Sequence, residues 1–217
     1  MKKIFTILSC FVFLACGSPN ETASAQIKTL VPGDNAPSFN LKNVDGKMIS
    51  PEDYPDAKGF IVVFTCNTCP NAIEYEDRLI ALGKKYNSKG YPVIAINPNP
   101  PSPFLVFSGE TFSKMQKKAK TKGFSFPYLF DKGQIVTNQY GARATPHIFL
   151  LKKEESKYKV VYTGALDNDA WGKNPELERA LYVEDAIAAL DSGEEIKVAS
   201  TKAIGCSVKR SFGGLLE

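Results

Sequence analysis

Two cysteines at the junction of a strand pattern and a helix pattern constrain this sequence more than any other feature. Residues 59–65 (GFIVVFT) form a continuous β-branched and aromatic run, which is typical of a strand buried on both faces. Cys66-Asn67-Thr68-Cys69 follows directly. The next apolar residues recur at spacings of three and four and predict a helix: Ala72, Tyr75, Leu79, Leu82 and Tyr86. The sequence therefore predicts a strand, a Cys-x-x-Cys loop and a helix in succession.

This placement suits thiol chemistry. The thiolate is the attacking species, and a free cysteine has a pKa near ~8.5, so few thiols are ionised at neutral pH. We expect Cys66 at the start of the helix, where unpaired N–H groups and the helix dipole lower its pKa. Cys69 lies one turn further on, within reach of a disulfide with Cys66. We therefore expect Cys66 to be the more accessible and more acidic thiol, which attacks, and Cys69 to resolve the mixed disulfide.

The same pair permits two other interpretations. Half of a zinc site is one, although a second cysteine pair is missing and the single histidine, His147, cannot easily complete it. A purely structural disulfide is the other, although so short a ring is strained and tends to be redox-labile. We expect no metal and no other cofactor.

Residues 1–25 have the pattern of an export segment. Lys2 and Lys3 precede an apolar run, residues 4–15, and small and polar residues follow. The run is too short to predict a membrane span. Residues 23–25 have the A-x-A form of a cleavage site, whereas the FLAC sequence that ends at Cys16 resembles a bacterial lipobox. We favour a lipid anchor at Cys16, with simple secretion as the alternative, and expect the protein in the periplasm or cell envelope.

Cleavage after residue 25 leaves three cysteines, namely Cys66, Cys69 and Cys206. An odd number in an oxidising compartment leaves one thiol unpaired or paired with another molecule. Cys206 is compatible with three roles: a third redox thiol, an attachment point for a partner, or a packed small residue.

The remaining patterns alternate between strands and helices, as in an α/β domain whose sheet has helices on both faces. They predict a hairpin around Asp45-Gly46, a strand at 91–97, a proline-rich loop at 98–103, helices at 112–123 and 135–140, a hairpin of strands at 146–151 and 157–163, and a last helix that ends near Gly193. We expect one domain over residues 30–192, followed by an extension, residues 193–217, that carries Cys206.

Taken together, the motifs resemble those of the thioredoxin-like superfamily: strand, Cys-x-x-Cys and helix, with a distant Thr145-Pro146 that opens a strand. The segment GDNAPSFNL at 33–41 is similar to the opening of the redoxin branch, the alkyl hydroperoxide reductase/thiol-specific antioxidant type. FTCNTCP, FPYLFD, YGARATP and GCSVK resemble a bacterial group of thioredoxin-family redoxins. The resemblance covers residues 31–209. It implies a thioredoxin-like α/β fold, a central mixed β-sheet flanked by helices, with an N-terminal β-hairpin.

The resemblance also implies a substrate-docking position. In such folds the proline that corresponds to Pro146 is cis and lies against the Cys-x-x-Cys loop. The backbone of the preceding residue, here Thr145, pairs with an extended segment of the substrate. An ordinary proline at the start of a strand is the alternative interpretation.

This chain departs from the family patterns at several positions. Thioredoxins carry a tryptophan before the first cysteine, where this chain has Thr65, and a buried acid on the preceding strand, which residues 59–65 lack. The proton acceptor for Cys69 is therefore unassigned. Peroxiredoxins need a threonine or serine three residues before the attacking cysteine, and Val63 occupies that position before Cys66. Arg143 would nevertheless suit a peroxide site.

His147 has two interpretations. It either approaches the cysteines, where it would tune Cys66 or bind metal, or it lies on a strand with its ring hydrogen-bonded, which its apolar neighbours favour. The formal charge of +4 is too mild to imply nucleic acid. The lysines at the end of a short predicted helix are interpreted as a solvated face: Lys117, Lys118, Lys120 and Lys122.

We therefore predict an exported thiol–disulfide oxidoreductase with protein or small thiol and disulfide substrates and a redox partner. The candidate site residues are catalytic Cys66 and Cys69, substrate-binding Thr145 and Pro146, and accessory Cys206, Arg143 and His147. A thiol peroxidase, a redox-inactive interaction module and a copper-binding chaperone that uses Cys66, Cys69 and His147 remain alternatives. We expect no nucleic-acid partner and no membrane contact beyond a lipid anchor. The sequence indicates neither the oligomeric state nor the direction of exchange.

Overall fold

The computed structural model describes residues 27–99, 109–171 and 176–210. The export segment with Cys16, and residues 100–103 of the proline-rich loop, lie outside these ranges. No helix in the described ranges is long and apolar enough to cross a membrane. The described strands are β1 Asn35–Ala36, β2 Leu41–Asn43, β3 Met48–Ile49, β4 Gly59–Phe64, β5 Val93–Asn97, β6 Tyr128–Phe130, β7 Ala144–Thr145, β8 His147–Glu154, β9 Lys157–Gly164 and β10 Cys206–Ser207, and the α-helices are α1 Pro70–Tyr86, α2 Phe112–Lys122, α3 Ile135–Tyr140 and α4 Tyr182–Ser192.

Eight strands form one mixed sheet in the order β1-β9-β8-β4-β5-β6-β2-β3. The pairs β4–β5 and β5–β6 are parallel, and the other pairs of this sheet are antiparallel. β4 lies between β8 and β5, and all six of its residues are buried. The continuous apolar run at residues 59–65 therefore forms an inner strand of the sheet, as the sequence predicts.

Successive side chains of β4 belong alternately to two separate hydrophobic cores. Ile61 and Val63 pack in a cluster with residues of α1, α2 and α4. Phe60, Val62 and Phe64 belong to a second cluster that includes residues of α3. Because successive side chains of a strand point to opposite faces, the two clusters lie on the two faces of the sheet. The predicted α/β architecture with helices on both faces is confirmed.

Both predicted hairpins form, with shifted ends. β2 and β3 pair antiparallel around a turn in which Gly46 has φ +93°, a backbone conformation that glycine adopts without steric cost. β8 and β9 pair antiparallel over most of their length, with an irregularity between Leu150 and Leu151. The two-residue strands β1, β7 and β10 and the three-residue β6 were not predicted, because such short segments show no periodicity.

The chain returns to the sheet after α4. Ser200 forms an isolated bridge with Thr163 of β9. β10 then pairs antiparallel with β7, with Cys206 opposite Thr145. Val208 continues this pairing, since its N–H donates to the carbonyl of Arg143 at 3.0 Å. Residues 193–210 thus pack on the domain and carry Cys206 to the edge of β7.

Candidate active site

Both cysteines of the Cys-x-x-Cys motif lie in the loop between β4 and α1. Pro70 is the first helical residue, and Cys69 is the N-cap with extended backbone, φ −71° and ψ 122°. A residue before proline is sterically disfavoured from helical backbone, so the helix does not extend back to Cys66. The expectation that Cys66 lies at the helix start is therefore wrong, and Cys69 holds that position.

The two thiols are equally buried. Cys66 is 3% exposed and Cys69 is 4% exposed. Cys206 packs against them and is partly exposed, and all three cysteines are free thiols. The expectation that Cys66 is the more accessible member of the pair is wrong, because both cysteines are buried to nearly the same extent.

The acidity of the two thiols is also the reverse of the expectation. A hydrogen bond from the Cys66 thiol to Cys69 raises the pKa of Cys66 and lowers the pKa of Cys69. Cys69 also receives the Cys206 N–H, 3.3 Å from its Sγ, and hydrogen bonds from the Cys206 thiol and the Ala72 backbone. Burial and the charge of Glu110 further raise the pKa of Cys66. These contacts therefore favour Cys69 over Cys66 as the more acidic thiol of the pair.

Thr145 contacts both sulfurs. Its Oγ1 lies 3.2 Å from Cys66 Sγ, and its carbonyl oxygen accepts a hydrogen bond from the Cys69 thiol at 3.1 Å. The Thr145–Pro146 peptide bond is cis, as the family resemblance implies. The structure thus brings together the cysteines and the predicted docking residue.

The docking edge, however, is occupied by the chain itself. Cys206 of β10 takes the antiparallel position opposite Thr145, where a substrate strand was expected. Gly205 makes this approach possible, because a Cβ at that position would lie 2.1 Å from the Thr145 carbonyl oxygen. An extended substrate can pair with Thr145 only after β10 has moved.

Glu110 is a site residue that the sequence analysis missed. Its carboxylate is 3% exposed and accepts the N–H groups of Asn67 and Thr68, each at 2.9 Å. It also accepts the Thr68 hydroxyl at 2.5 Å and the Asn97 side-chain amide at 2.9 Å. This carboxylate fixes the Cys-x-x-Cys loop. Glu110 is a buried acid that reaches the loop from a distant segment and not from β4, and no periodicity marks it.

Two lysines of α2 correct the interpretation of that helix as a solvated face. Lys118 Nζ donates to the Asn67 carbonyl at 2.9 Å and also to the buried carboxylate of Glu76. Lys122 pairs with the same carboxylate at 3.1 Å. The positive charges of Lys118 and Lys122 therefore compensate the buried carboxylate of Glu76 in α1. Lys118 also holds the Cys-x-x-Cys loop through the Asn67 carbonyl.

The ring of His147, at the start of β8, is hydrogen-bonded to residues outside that strand. His147 Nδ1 accepts the Arg143 N–H at 3.2 Å, and its Nε2 lies 3.2 Å from the Thr163 hydroxyl. Burial lowers the pKa of His147 to about 4. Both ring nitrogens have partners, so the ring is a structural element of β8 and not a ligand aimed at the cysteines. In the described ranges, no group of three or more His, Cys, Asp or Glu side chains is arranged to hold a metal ion.

The guanidinium of Arg143 donates hydrogen bonds to the N-terminal segment. Its Nε donates to the Thr29 hydroxyl at 2.7 Å, and Nη2 donates to the Ile27 carbonyl at 3.2 Å. The structure does not support the expectation that Arg143 suits a peroxide site at the cysteines, because its side chain binds the N-terminal segment.

Comparison with known sequences gives two kinds of relative. A thiol–disulfide oxidoreductase ResA from Geobacillus thermodenitrificans is 28% identical over 140 residues, which cover 63% of this chain and 72% of that protein. A putative peroxiredoxin from Mycobacterium tuberculosis is 25% identical over 154 residues, which cover 58% of this chain and 96% of that protein.

Solved structures share the fold. An uncharacterized conserved protein from Geobacillus kaustophilus is 30% identical, with a TM-score of 0.73 and coverage of 84% of this chain and 94% of that one. A putative thiol:disulfide interchange protein DsbE from Chlorobium tepidum, 21% identical with a TM-score of 0.51 over 62% of this chain and 85% of that one, shares the thioredoxin-like α/β fold. The family model described as AhpC/TSA matches residues 32–160. The chain belongs to the AhpC/TSA family, and the predicted redoxin family and fold are confirmed.

Proposed function

We propose that this protein is an exported thiol–disulfide oxidoreductase that exchanges disulfides through Cys66 and Cys69. The observation that carries the proposal is that the two cysteines pack in one buried cluster, between β4 and the N-terminus of α1, with both sulfurs in contact with Thr145. Oxidation of this pair to a disulfide supplies two electrons, which reduce a substrate disulfide to two thiols. The similarity to ResA proteins supports the same class of reaction.

The acidity of the pair suits exchange near neutral pH. A thiolate is the species that attacks a disulfide sulfur, and the rate depends on the fraction ionised and on access to the sulfur. Because the pKa of Cys69 is lowered, the pair holds a thiolate where an ordinary thiol is mostly protonated. The second thiol then attacks the mixed disulfide and releases the reduced substrate.

A thiol peroxidase is the second candidate, and the similarity to a putative peroxiredoxin favours it. Two observations place it second. Val63 presents a buried apolar side chain where a peroxidase needs a hydroxyl, and Arg143 contacts the N-terminal segment. Cysteine-dependent consumption of hydrogen peroxide, at a rate above that of insulin reduction, would reverse this order.

The proposal includes the export of the chain. Residues 1–25 supply the export signal, with lipidation at Cys16, residues 30–192 form the redoxin domain, and residues 193–217 form its C-terminal extension. In an export-competent host, Cys16→Ser should move the protein from the membrane fraction to the soluble fraction. A wild-type protein that is soluble and begins at Gln26 would contradict the lipid anchor.

Insulin reduction tests the redox function directly. The reduced chain beginning at Gln26 should reduce insulin disulfides, and Cys66→Ser and Cys69→Ser should each lower the rate to that of the buffer. Ser192→Ala is a control, because its hydroxyl contacts only carbonyls near the end of α4. A wild-type chain that reduces neither insulin nor oxidised glutathione would reject the proposal.

A further inference from the structure

Access to the Cys-x-x-Cys pair poses a chemical problem. Disulfide exchange needs the attacking sulfur to approach along the axis of the bond that breaks, so a buried sulfur reacts slowly with a protein disulfide. Cys66 and Cys69 are 3% and 4% exposed, and β10 covers the edge at Thr145. Cys206 is the partly exposed sulfur of the three.

Cys206 is held at Cys69 by contacts on both sides of it. Its own N–H donates to Cys69 Sγ at 3.3 Å, and its side chain packs against the cluster of Cys66 and Cys69. Gly205 permits the backbone to reach the Thr145 carbonyl. Further along, the Lys209 N–H donates to Asn99 Oδ1 at 3.0 Å. These contacts make the position of Cys206 a built feature of the site.

The arrangement is that of a substrate strand supplied by the chain itself. An extended segment runs antiparallel to Thr145, and a cysteine at the paired position contacts the more acidic thiol of the motif. We propose that Cys206 is a third exchange thiol, and that disulfides reach the buried pair through a Cys69–Cys206 disulfide. This inference rests on the proposed function and adds a residue and an order of steps to it.

In the reducing direction, exchange proceeds in three steps. Cys206 attacks the substrate disulfide as its proton passes to Cys69, and one substrate sulfur leaves as a thiolate that takes a proton from water. Cys69 then attacks Cys206 Sγ as its proton passes to the second substrate sulfur, which leaves as a thiol. Cys66 finally attacks Cys69 Sγ, breaks the Cys69–Cys206 bond, and returns Cys206 as a thiol that takes the proton of Cys66. One substrate disulfide becomes two thiols, and two protein thiols become the Cys66–Cys69 disulfide.

Disulfide mapping tests the central intermediate. The reduced Cys66→Ser chain, beginning at Gln26 and retaining its C-terminus, is oxidised with oxidised glutathione, quenched in acid, alkylated and digested. Mass spectrometry should find the Cys69–Cys206 disulfide as the main product. The Cys69→Ser chain should not form a Cys66–Cys206 disulfide, because Cys206 contacts Cys69. Circular dichroism establishes that both variants are folded. A Cys66→Ser chain that carries only glutathione on Cys69 would overturn the proposal.

A matched variant separates the thiol from its position. In the double variant Cys206→Ser, Ser207→Cys, the thiol moves by one strand position and points to the opposite face, so no disulfide with Cys69 should form. Both this variant and Cys206→Ser should reduce insulin about tenfold or more slowly than wild type, because the tethered thiol is lost. Each should still form the Cys66–Cys69 disulfide.

The outcomes distinguish the two proposals. If Cys206→Ser reduces insulin at the wild-type rate, the relay is wrong while disulfide exchange through Cys66 and Cys69 stands. If the wild-type chain reduces no disulfide, the proposed function fails, and the mapping result decides the Cys69–Cys206 bond independently.

Discussion

The unit that carries Cys66 and Cys69 and the strand that carries Cys206 are built in opposite ways. β4 is paired on both sides and buried throughout, whereas β10 has two residues and, among the described strands, pairs with the two-residue strand β7 alone. Buried apolar surface stabilises by about 25 cal/mol per Å². The first unit is therefore anchored in both cores, and the second is held by a few hydrogen bonds. The contrast separates a fixed redox pair from a detachable cover.

Truncation in β4 should give the largest effect on stability. Phe64 is fully buried and stacks edge-on with Phe149, so Phe64→Ala should lower the free energy of unfolding by about 3–5 kcal/mol. Urea denaturation measures this free energy of unfolding. Ile135→Ala, at an exposed position, is a control that should change the free energy by about 0.5 kcal/mol or less. A loss below about 1 kcal/mol for Phe64→Ala would remove the contrast between the two regions.

Removal of the Glu110 charge should loosen the loop by a smaller amount. Hydrogen bonds to charged groups contribute about 1.5–3 kcal/mol, and Glu110→Gln weakens four of them and introduces a donor among donors. We expect a loss of that order in urea denaturation, together with a lower pKa of Cys66, since a negative charge beside it is removed. The exposed Glu194→Gln is the control. Unchanged stability and thiol titration would show that Glu110 does not hold the loop.

Displacement of β10 should expose the thiols without unfolding the domain. A valine at Gly205 collides with the Thr145 carbonyl, and such overpacking costs about 1–3 kcal/mol. Gly205→Val should therefore speed alkylation of Cys66 and Cys69 by about 10- to 100-fold, as 1.4 kcal/mol corresponds to a factor of ten. Ser207→Ala, which keeps the backbone pairing, should label at the wild-type rate. Equal labelling of wild type and Gly205→Val would mean that β10 is no cover.

Titration of the thiolate should give the smallest effect. It shows which of the two cysteines, Cys66 or Cys69, is the more acidic. Because the folded protein lowers the pKa of Cys69, thiolate absorbance at 240 nm should persist as the pH falls below the ordinary thiol range near ~8.5. It should be lost in Cys69→Ser and retained in Cys66→Ser, whose hydroxyl still donates a hydrogen bond. Loss in Cys66→Ser and retention in Cys69→Ser would restore the acidity order expected from the sequence.

The sequence predicted the parts of the fold that rest on apolar periodicity. β4, α1 and the β8–β9 hairpin follow from runs and spacings of apolar residues, and the β2–β3 hairpin follows from the Asp45-Gly46 turn signal; all of these patterns are local. The pairing of Cys66 with Cys69 and their nearness to Thr145 follow from a motif and a family resemblance. Pro70 was visible as well, and its steric effect on Cys69 predicts the helix start that the argument from thiol acidity placed too early, at Cys66.

The remaining site features depend on contacts between distant segments. Glu110 reaches the loop from 42 and 43 positions along the chain, and Cys206 lies 61 positions beyond Thr145. No local pattern encodes either contact, since one depends on a single carboxylate and the other on a two-residue strand. In the sequence, Lys118 is indistinguishable from a surface lysine. Its ion pair depends on the fold, which buries Glu76 beside it.

The register that sets Cys206 opposite Thr145 also has a kinetic consequence. A thiol held by its own backbone acts at an effective concentration on the order of mM or above, whatever the concentration of the protein. A free protein substrate at micromolar concentration competes poorly against it for Cys69. The oxidation state of the pair should therefore follow the chain's own third cysteine first, and the supply of external thiols only through it.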